Sequence, residues 1–173
     1  MIILGSTGSI GVNSLVIAKR YDLDIEILVA GHNIGLLNTQ LKEFSPKLVI
    51  IASKDDIHKV NHPNVRAGQN AILKAIENST SKLVVNALVG FFGLQPTLKA
   101  IACKKRVALA NKESLVAAGK FIDTSYITPI DSEHFGLWYL LDNEKTVHSL
   151  TITASGGSFR DYPLEQLASV TVK

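Results

Sequence analysis

Two carboxylates, Asp131 and Glu133, stand two residues apart in the stretch 129–134, PIDSEH, with no basic neighbour except His134. On extended backbone such a pair points to one side and repels itself unless a divalent cation lies between. All-oxygen ligation selects Mg2+ or Mn2+ rather than zinc. The same residues also read as a helix start, with Asp131 or Ser132 as cap and Glu133 in the first turn. His134 diverges from Glu133 on a helix and is assigned a supporting place only. A second polar cluster, Asn111, Lys112, Glu113 and Ser114, interrupts the apolar stretch 106–118. Asn111 as N-cap and Glu113 in the first turn suit a helix start. Lys112 opposes the helix dipole there, and a phosphate or a polarised carbonyl would offset the conflict. Capping and function both remain open for this cluster.

Glycines 5, 8 and 11 in GSTGSIG follow the apolar run 1–4 and precede an amphipathic segment. Strand, glycine loop and helix in that order aim backbone N–H groups and the positive end of a helix dipole at one point, which suits a pyrophosphate. Gly5 allows a tight turn, Gly8 lets a phosphate approach, and Gly11 lets the helix pack closely. NAD-specific sites place an acid about 20 residues later to hold the ribose hydroxyls. Here that place holds Ala30, Gly31, His32 and Asn33. No carboxylate repels a 2′-phosphate, and His32 and Asn33 can donate to it, so NADPH is the favoured cofactor. A fourth stretch, Ser155, Gly156, Gly157 and Ser158, can form a concave array of N–H groups, although most such runs are turns.

The elements that must hold these clusters are legible from hydropathy. The runs 1–4, 25–30, 47–52, 82–87, 106–110 and 126–130 are nearly continuous in Val, Ile, Leu and Ala, as strands buried on both faces are. Residues 65–68 add a short strand. Amphipathic segments at 12–20, 34–44, 69–78 and 94–103 lie between them. Strands alternating with helices predict a doubly wound, mostly parallel Rossmann-type α/β sheet over 1–130. Every polar cluster then falls at a strand's carboxyl end, where open α/β sheets bind ligands. Beyond it, 132–142 reads as a helix turning Phe135, Leu137, Trp138 and Leu141 to a core. The alternation in 148–155 reads as a strand with one wetter face. Residues 131–173 are too few for a self-sufficient second domain and are read as the start of an α+β catalytic domain, cut short.

The 173-residue chain is 46% hydrophobic and carries a formal net charge of +3. Its longest basic run is Lys104, Lys105 and Arg106, so charge gives no indication of nucleic-acid binding. Cys103 is its single cysteine, which excludes an intrachain disulfide and fits a reducing compartment. No stretch approaches the roughly 20 apolar residues of a membrane span. The opening residues lack the basic region of a signal peptide. A soluble cytoplasmic protein is expected.

Taken in order, GSTGSIG (5–11), AGHN (30–33), ALANKESLV (108–116), PIDSEH (129–134) and SGGSFR (155–160) resemble the 1-deoxy-D-xylulose 5-phosphate reductoisomerase family. NKES followed by DSEH makes the resemblance specific, and it covers the whole chain. It implies conversion of 1-deoxy-D-xylulose 5-phosphate to 2-C-methyl-D-erythritol 4-phosphate in non-mevalonate isoprenoid synthesis. The implied cofactors are NADPH and Mn2+, Mg2+ or Co2+, and the implied full-length assembly is a homodimer. The resemblance places Thr7, Gly8, Ser9 and Ile10 on the NADPH pyrophosphate and Gly31, His32 and Asn33 near the 2′-phosphate. Asn111 and Glu113 fall on the cofactor side and Lys112 on the substrate, where it stabilises developing negative charge. Asp131 and Glu133 become metal ligands, Glu133 also touches substrate, and Ser132 and Ser155 bind substrate. His32 departs from the Lys or Arg common at its place. The family pattern continues past residue 173 with a substrate-covering loop, a third acidic ligand and a helical domain. This chain by itself is therefore expected to be inactive. Two other readings remain: another NADP-linked Rossmann reductase, which needs no paired metal carboxylates, and a non-catalytic nucleotide-binding module.

Overall fold

The computed structural model describes residues 1–141, 147–151, 159 and 161–171, which form two compact units, Met1–Asp131 and Ser132–Lys173. The first unit is built on a seven-stranded sheet of β1 (Ile2–Leu4), β2 (Ile27–Val29), β3 (Leu48–Ile51), β4 (Val65–Ala67), β5 (Leu83–Asn86), β6 (Arg106–Leu109) and β7 (Ile127–Pro129). Its order is β4-β3-β2-β1-β5-β6-β7, and every pairing is parallel. The chain thus starts in the middle of the sheet, works outward to β4, then crosses back to β5 on the other side of β1. Pro129 lies in the edge strand β7, where its missing N–H costs no ladder bond.

Side-chain alternation explains why the strands lack a polar face. Ile2 and Leu4 of β1 join Ile27, Val29, Leu48, Ile50, Val84 and Val107 on one side. Ile3 joins Leu28 and Val85 on the other. Both sides are covered. Ala75 and Ile76 of α3 (Gln69–Asn78) and Ala100 of α4 (Leu94–Ala102) pack on the first face. Leu15 and Ala18 of α1 (Ser9–Arg20) and Leu37 of α2 (Ile34–Gln40) pack on the second. α2 is shorter than the segment 34–44 suggested, because its regular turns stop at Gln40. α5 (Lys112–Ala118) follows β6.

The sheet's amino edge is pinned by charge. Glu26 accepts from the Ser79 hydroxyl at 2.6 Å and the Ser81 N–H at 2.9 Å. Lys105, from the basic run, is buried and donates to the Ser79 and Ser81 carbonyls, both at 2.7 Å. Its charge therefore goes into holding loop 79–81 rather than onto the surface.

In the second unit α6 spans Ser132–Leu141. Its expected core face is not observed. Phe135 and Trp138 are 44% and 41% exposed, and no residue of the helix is buried. Phe135 packs instead on Trp138 and Tyr139 of its own helix, ring centroids 6.0 Å apart in each pair. Apolar residues run all round this helix, so no single face could be singled out by period alone. Of the strand expected over 148–155, residues 148–151 carry no regular structure, and 152–155 lie outside the described residues. A 3-10 turn covers Leu164–Ser169.

Candidate nucleotide site

β1 is followed directly by the glycine loop. Gly5 sits at φ +87° and, with Ser6, donates its N–H to the Val29 carbonyl at 2.8 Å. A Cβ on Gly5 would lie 2.6 Å from the Ala87 carbonyl oxygen, because β5 runs alongside β1 there. A Cβ on Gly11 would lie 2.1 Å from the Gly5 oxygen. These two glycines are required by the protein's own backbone. Gly8 is different: a Cβ there would meet nothing closer than 3.4 Å, on backbone of ordinary φ −81°. Gly8 is also the N-cap of α1, which therefore begins with no side chain capping its first amides. From behind, buried Gln40 of α2 donates to the Ser6 carbonyl at 2.8 Å and fixes the loop.

Above this loop lies a cavity of about 560 Å3 at the carboxyl edge of the sheet, beside the crossover between β1 and β5. Gly5, Thr7 and Gly8 line it from the glycine loop, and Gly31, His32 and Asn33 from the end of β2. Gly68, Gln69 and Ile72 line it from the start of α3, and Leu88, Val89 and Phe92 from the loop after β5. Asn33 caps α2 by accepting from the Leu36 N–H at 3.1 Å, so what it offers a ligand is its amide NH2. His32 is exposed at the rim. The size suits a small-molecule site, and the N-cap Gly8 in its wall brings the start of α1 next to it, a setting that suits an anion. A smaller groove of about 260 Å3 between α1 and α2 is mainly aliphatic, and its Lys19 and Glu43 pair with each other at 2.9 Å.

Of the residues expected at a cofactor, Thr7, Gly8, Gly31, His32 and Asn33 come together around this cavity. Ser9 and Ile10 form the first turn of α1, next to Gly8, and do not themselves line the cavity. Asn111 and Glu113 do not line the cavity. Asn111 is 1% exposed and fully engaged within the protein. Its amide donates to the carbonyls of Leu88, at 2.8 Å, and Gly90, at 2.7 Å. Its oxygen accepts from the Ser114 N–H at 3.2 Å and from the Ser114 hydroxyl. Its side chain thereby holds the loop that lines the cavity. Lys112 is half-buried and Glu113 exposed at the start of α5.

Asp131 follows β7 and is 9% exposed, as the last residue of the first unit. Ser132 and Glu133 open α6 in the second. No group of three or more metal-ligating side chains occurs among the described residues. Ser155 lies outside the described residues. Also among the described residues, no helix is long and apolar enough to cross a membrane. The residues that sequence reasoning missed are Gln69, Ile72, Val89 and Phe92 in the cavity wall and Gln40 and Asn86 behind it. The one local signal was the run NALVGFFG (86–93), whose Val and Phe residues follow a buried strand without any polar residue to solvate them.

Comparison with known proteins places this geometry. A family model described as 1-deoxy-D-xylulose 5-phosphate reductoisomerase matches residues 1–119, and one for the C-terminal domain of that enzyme matches 127–173. A 1-deoxy-D-xylulose 5-phosphate reductoisomerase of Nautilia profundicola is 60% identical over all of this chain and 49% of its own length. The structure of the Zymomonas mobilis reductoisomerase in complex with NADPH superposes with a TM-score of 0.80 at 33% identity. It is matched over 98% of this chain and 49% of its own. A DOX-P reductoisomerase with NADPH, fosmidomycin and magnesium gives 0.79 at 29% identity, over 98% and 48%. The chain thus spans about half the length of the relatives it matches.

Proposed function

Since the chain belongs to the 1-deoxy-D-xylulose 5-phosphate reductoisomerase family, we propose that its first unit seats NADPH for the reduction of a rearranged sugar phosphate. The longer protein would convert 1-deoxy-D-xylulose 5-phosphate to 2-C-methyl-D-erythritol 4-phosphate, acting as a cytoplasmic homodimer. The observation that carries the reading is Gly8. The fold leaves its Cβ position open, at the cavity wall and at the uncapped start of α1. The amides of Ser9 and Ile10 would bind the pyrophosphate there, with Thr7 beside them. Gly31, His32 and the Asn33 amide would receive the 2′-phosphate, with no carboxylate to repel it.

Bound NADPH supplies a hydride; the chain's part is to hold and orient it. Lys112 would face substrate and stabilise negative charge that develops on an oxygen. Glu113 would act on the cofactor side, with Asn111 holding the loop between. Asp131 and Glu133 would give two oxygen ligands to Mg2+ or Mn2+, with Ser132 and Ser155 on substrate. Two carboxylates are a partial set for a hard cation. The cavity is lined wholly by residues of the first unit, so residues 1–173 are expected to bind NADPH by themselves.

NADPH titration of this chain tests the first claim. NADPH oxidation by the longer protein, with 1-deoxy-D-xylulose 5-phosphate and Mn2+, tests the second. Asp131→Ala should lower kcat/KM at least about 100-fold, part of it recovered at high metal. Turnover in that variant equal to the parent would refute the metal role and favour another NADP-linked reductase.

A further inference from the structure

The wall of the cavity between residues 88 and 93 is built from side chains that give it no shape of their own. Val89, Phe91 and Phe92 are 82%, 69% and 70% exposed, and Gly90 sits at φ +64°. What holds the segment is polar and lies behind it. Asn86, at the end of β5, donates from its amide to the Gly93 carbonyl and to the Thr97 hydroxyl, both at 2.8 Å. Its oxygen accepts from the Leu88 N–H at 3.2 Å. The Thr97 hydroxyl donates to the Gly93 carbonyl at 2.9 Å. Asn111 takes the carbonyls of Leu88 and Gly90. Asn86 and Thr97 are fully buried. Four backbone polar groups of a short apolar segment are thus satisfied from the protein side, which leaves its hydrophobic groups facing outward.

We propose that Asn86 and Thr97 are positioning residues for the dinucleotide. Through the network with Asn111 they fix the backbone of 88–93, so that Val89 and Phe92 meet the cofactor as one rigid apolar wall. Neither Asn86 nor Thr97 lines the cavity, so both act through that backbone. A buried network with every member bonded is rigid, and a wall shaped before binding spares the ligand the entropy of ordering it. The same network reaches the start of α5, so the wall and the segment bearing Lys112 and Glu113 are set in one frame. This rests on the dinucleotide reading above and deepens it.

The test uses the 173-residue chain with NADPH as probe, comparing the parent with Thr97→Val, which keeps the shape and removes the hydroxyl, and Thr97→Ser, which restores it. Thr97→Val should bind NADPH about 5- to 10-fold more weakly, the cost of ordering on binding a wall no longer fixed beforehand. Without ligand, its amides in 88–93 should exchange faster while those of β1 and β2 keep their protection. Thr97→Ser should recover both. Equal affinity in a folded Thr97→Val chain, exchange raised equally throughout, or no recovery by Thr97→Ser overturns the proposal. If Thr97→Val does not fold, Thr97→Ala removes the hydroxyl without adding a methyl and carries the same comparison. A parent chain that does not bind NADPH overturns the dinucleotide reading and this proposal together; a parent that binds, beside an unchanged variant, overturns this proposal alone.

Discussion

Replacing Gly8 by alanine separates what the fold needs from what a ligand needs. At Gly8 the backbone is at φ −81°, ψ 168°, which alanine adopts freely, and the added Cβ would sit 3.4 Å from the Gly5 oxygen, ordinary contact. Folding should therefore change by no more than about 1 kcal/mol, because the lower entropy of the unfolded chain and alanine's poorer fit as an N-cap oppose each other. A phosphate oxygen bonded to the amides of the first turn lies about 2.9 Å from each nitrogen. A methyl on the adjacent Cα must push it outward. The expected loss of NADPH affinity is about 10- to 100-fold, or about 1.4–2.7 kcal/mol. Gly11→Ala is the opposite case. Its Cβ would lie 2.1 Å from the Gly5 oxygen and 2.6 Å from the Ser6 Cα, both backbone, so no side chain can rotate away. That variant should lose more than about 4 kcal/mol of stability. Thermal unfolding and NADPH titration, run on both, read the two effects separately. A Gly8→Ala chain with unchanged affinity would refute the pyrophosphate placement. A Gly11→Ala chain with an unchanged Tm would refute the close packing of α1 on the loop.

Partial burial pushes the Glu26 carboxyl up, but the hydroxyls of Ser79 and Ser81 and the N–H groups of Thr80 and Ser81 prevail and hold it at about 2, against an ordinary 4.5. A depressed carboxyl stabilises the fold above its unfolded value and loses that contribution as pH falls. Glu26→Gln should therefore cost about 2 kcal/mol at pH 7, allowing for solvent screening, and progressively less from pH 4.5 down to about 2. Denaturant midpoints against pH show it, and a difference independent of pH would contradict it. His32→Asp places a carboxylate where a 2′-phosphate is expected, so NADPH affinity should fall at least about 10-fold while NADH affinity holds or rises. Parallel titrations that show equal losses for both nucleotides would remove the 2′-phosphate from that rim. Gly93→Ala drives a Cβ to 2.4 Å from Asn111 Cγ, whose amide is held on both sides. It should cost about 2–3 kcal/mol and loosen the start of α5, read as a lower Tm, and an unchanged Tm would contradict the clamp.

The parallel sheet was legible because a strand covered on both faces must be apolar at every position, a property of local composition. Six of the seven strands fall within the apolar runs; the short one at 65–67 is an edge strand and carries the exposed Arg66. The glycine loop was legible for a similar reason: its neighbours in sequence are its neighbours in space. Reading α6 by the same rule failed. Phe135, Leu137, Trp138 and Leu141 can be assigned to one face by spacing, but Tyr139 and Leu140 leave no polar face to oppose it.

What the sequence alone determined, then, is the set of parts: buried strands, a glycine-rich helix start, and the NKES and DSEH clusters that carry the family resemblance. Only the tertiary structure decided which parts meet. β1 lies at the centre of the sheet, and its neighbour on one side, β5, comes some 80 residues later. That pairing brings Ala87 against Gly5 and makes the loop after β5 a wall of the cavity. The polar supports of that wall, Asn86, Thr97 and Asn111, come from three elements with no common spacing. Hydrogen bonds depend on where backbone carbonyls come to rest after the sheet is assembled. Hydrophobic periodicity carries no record of that.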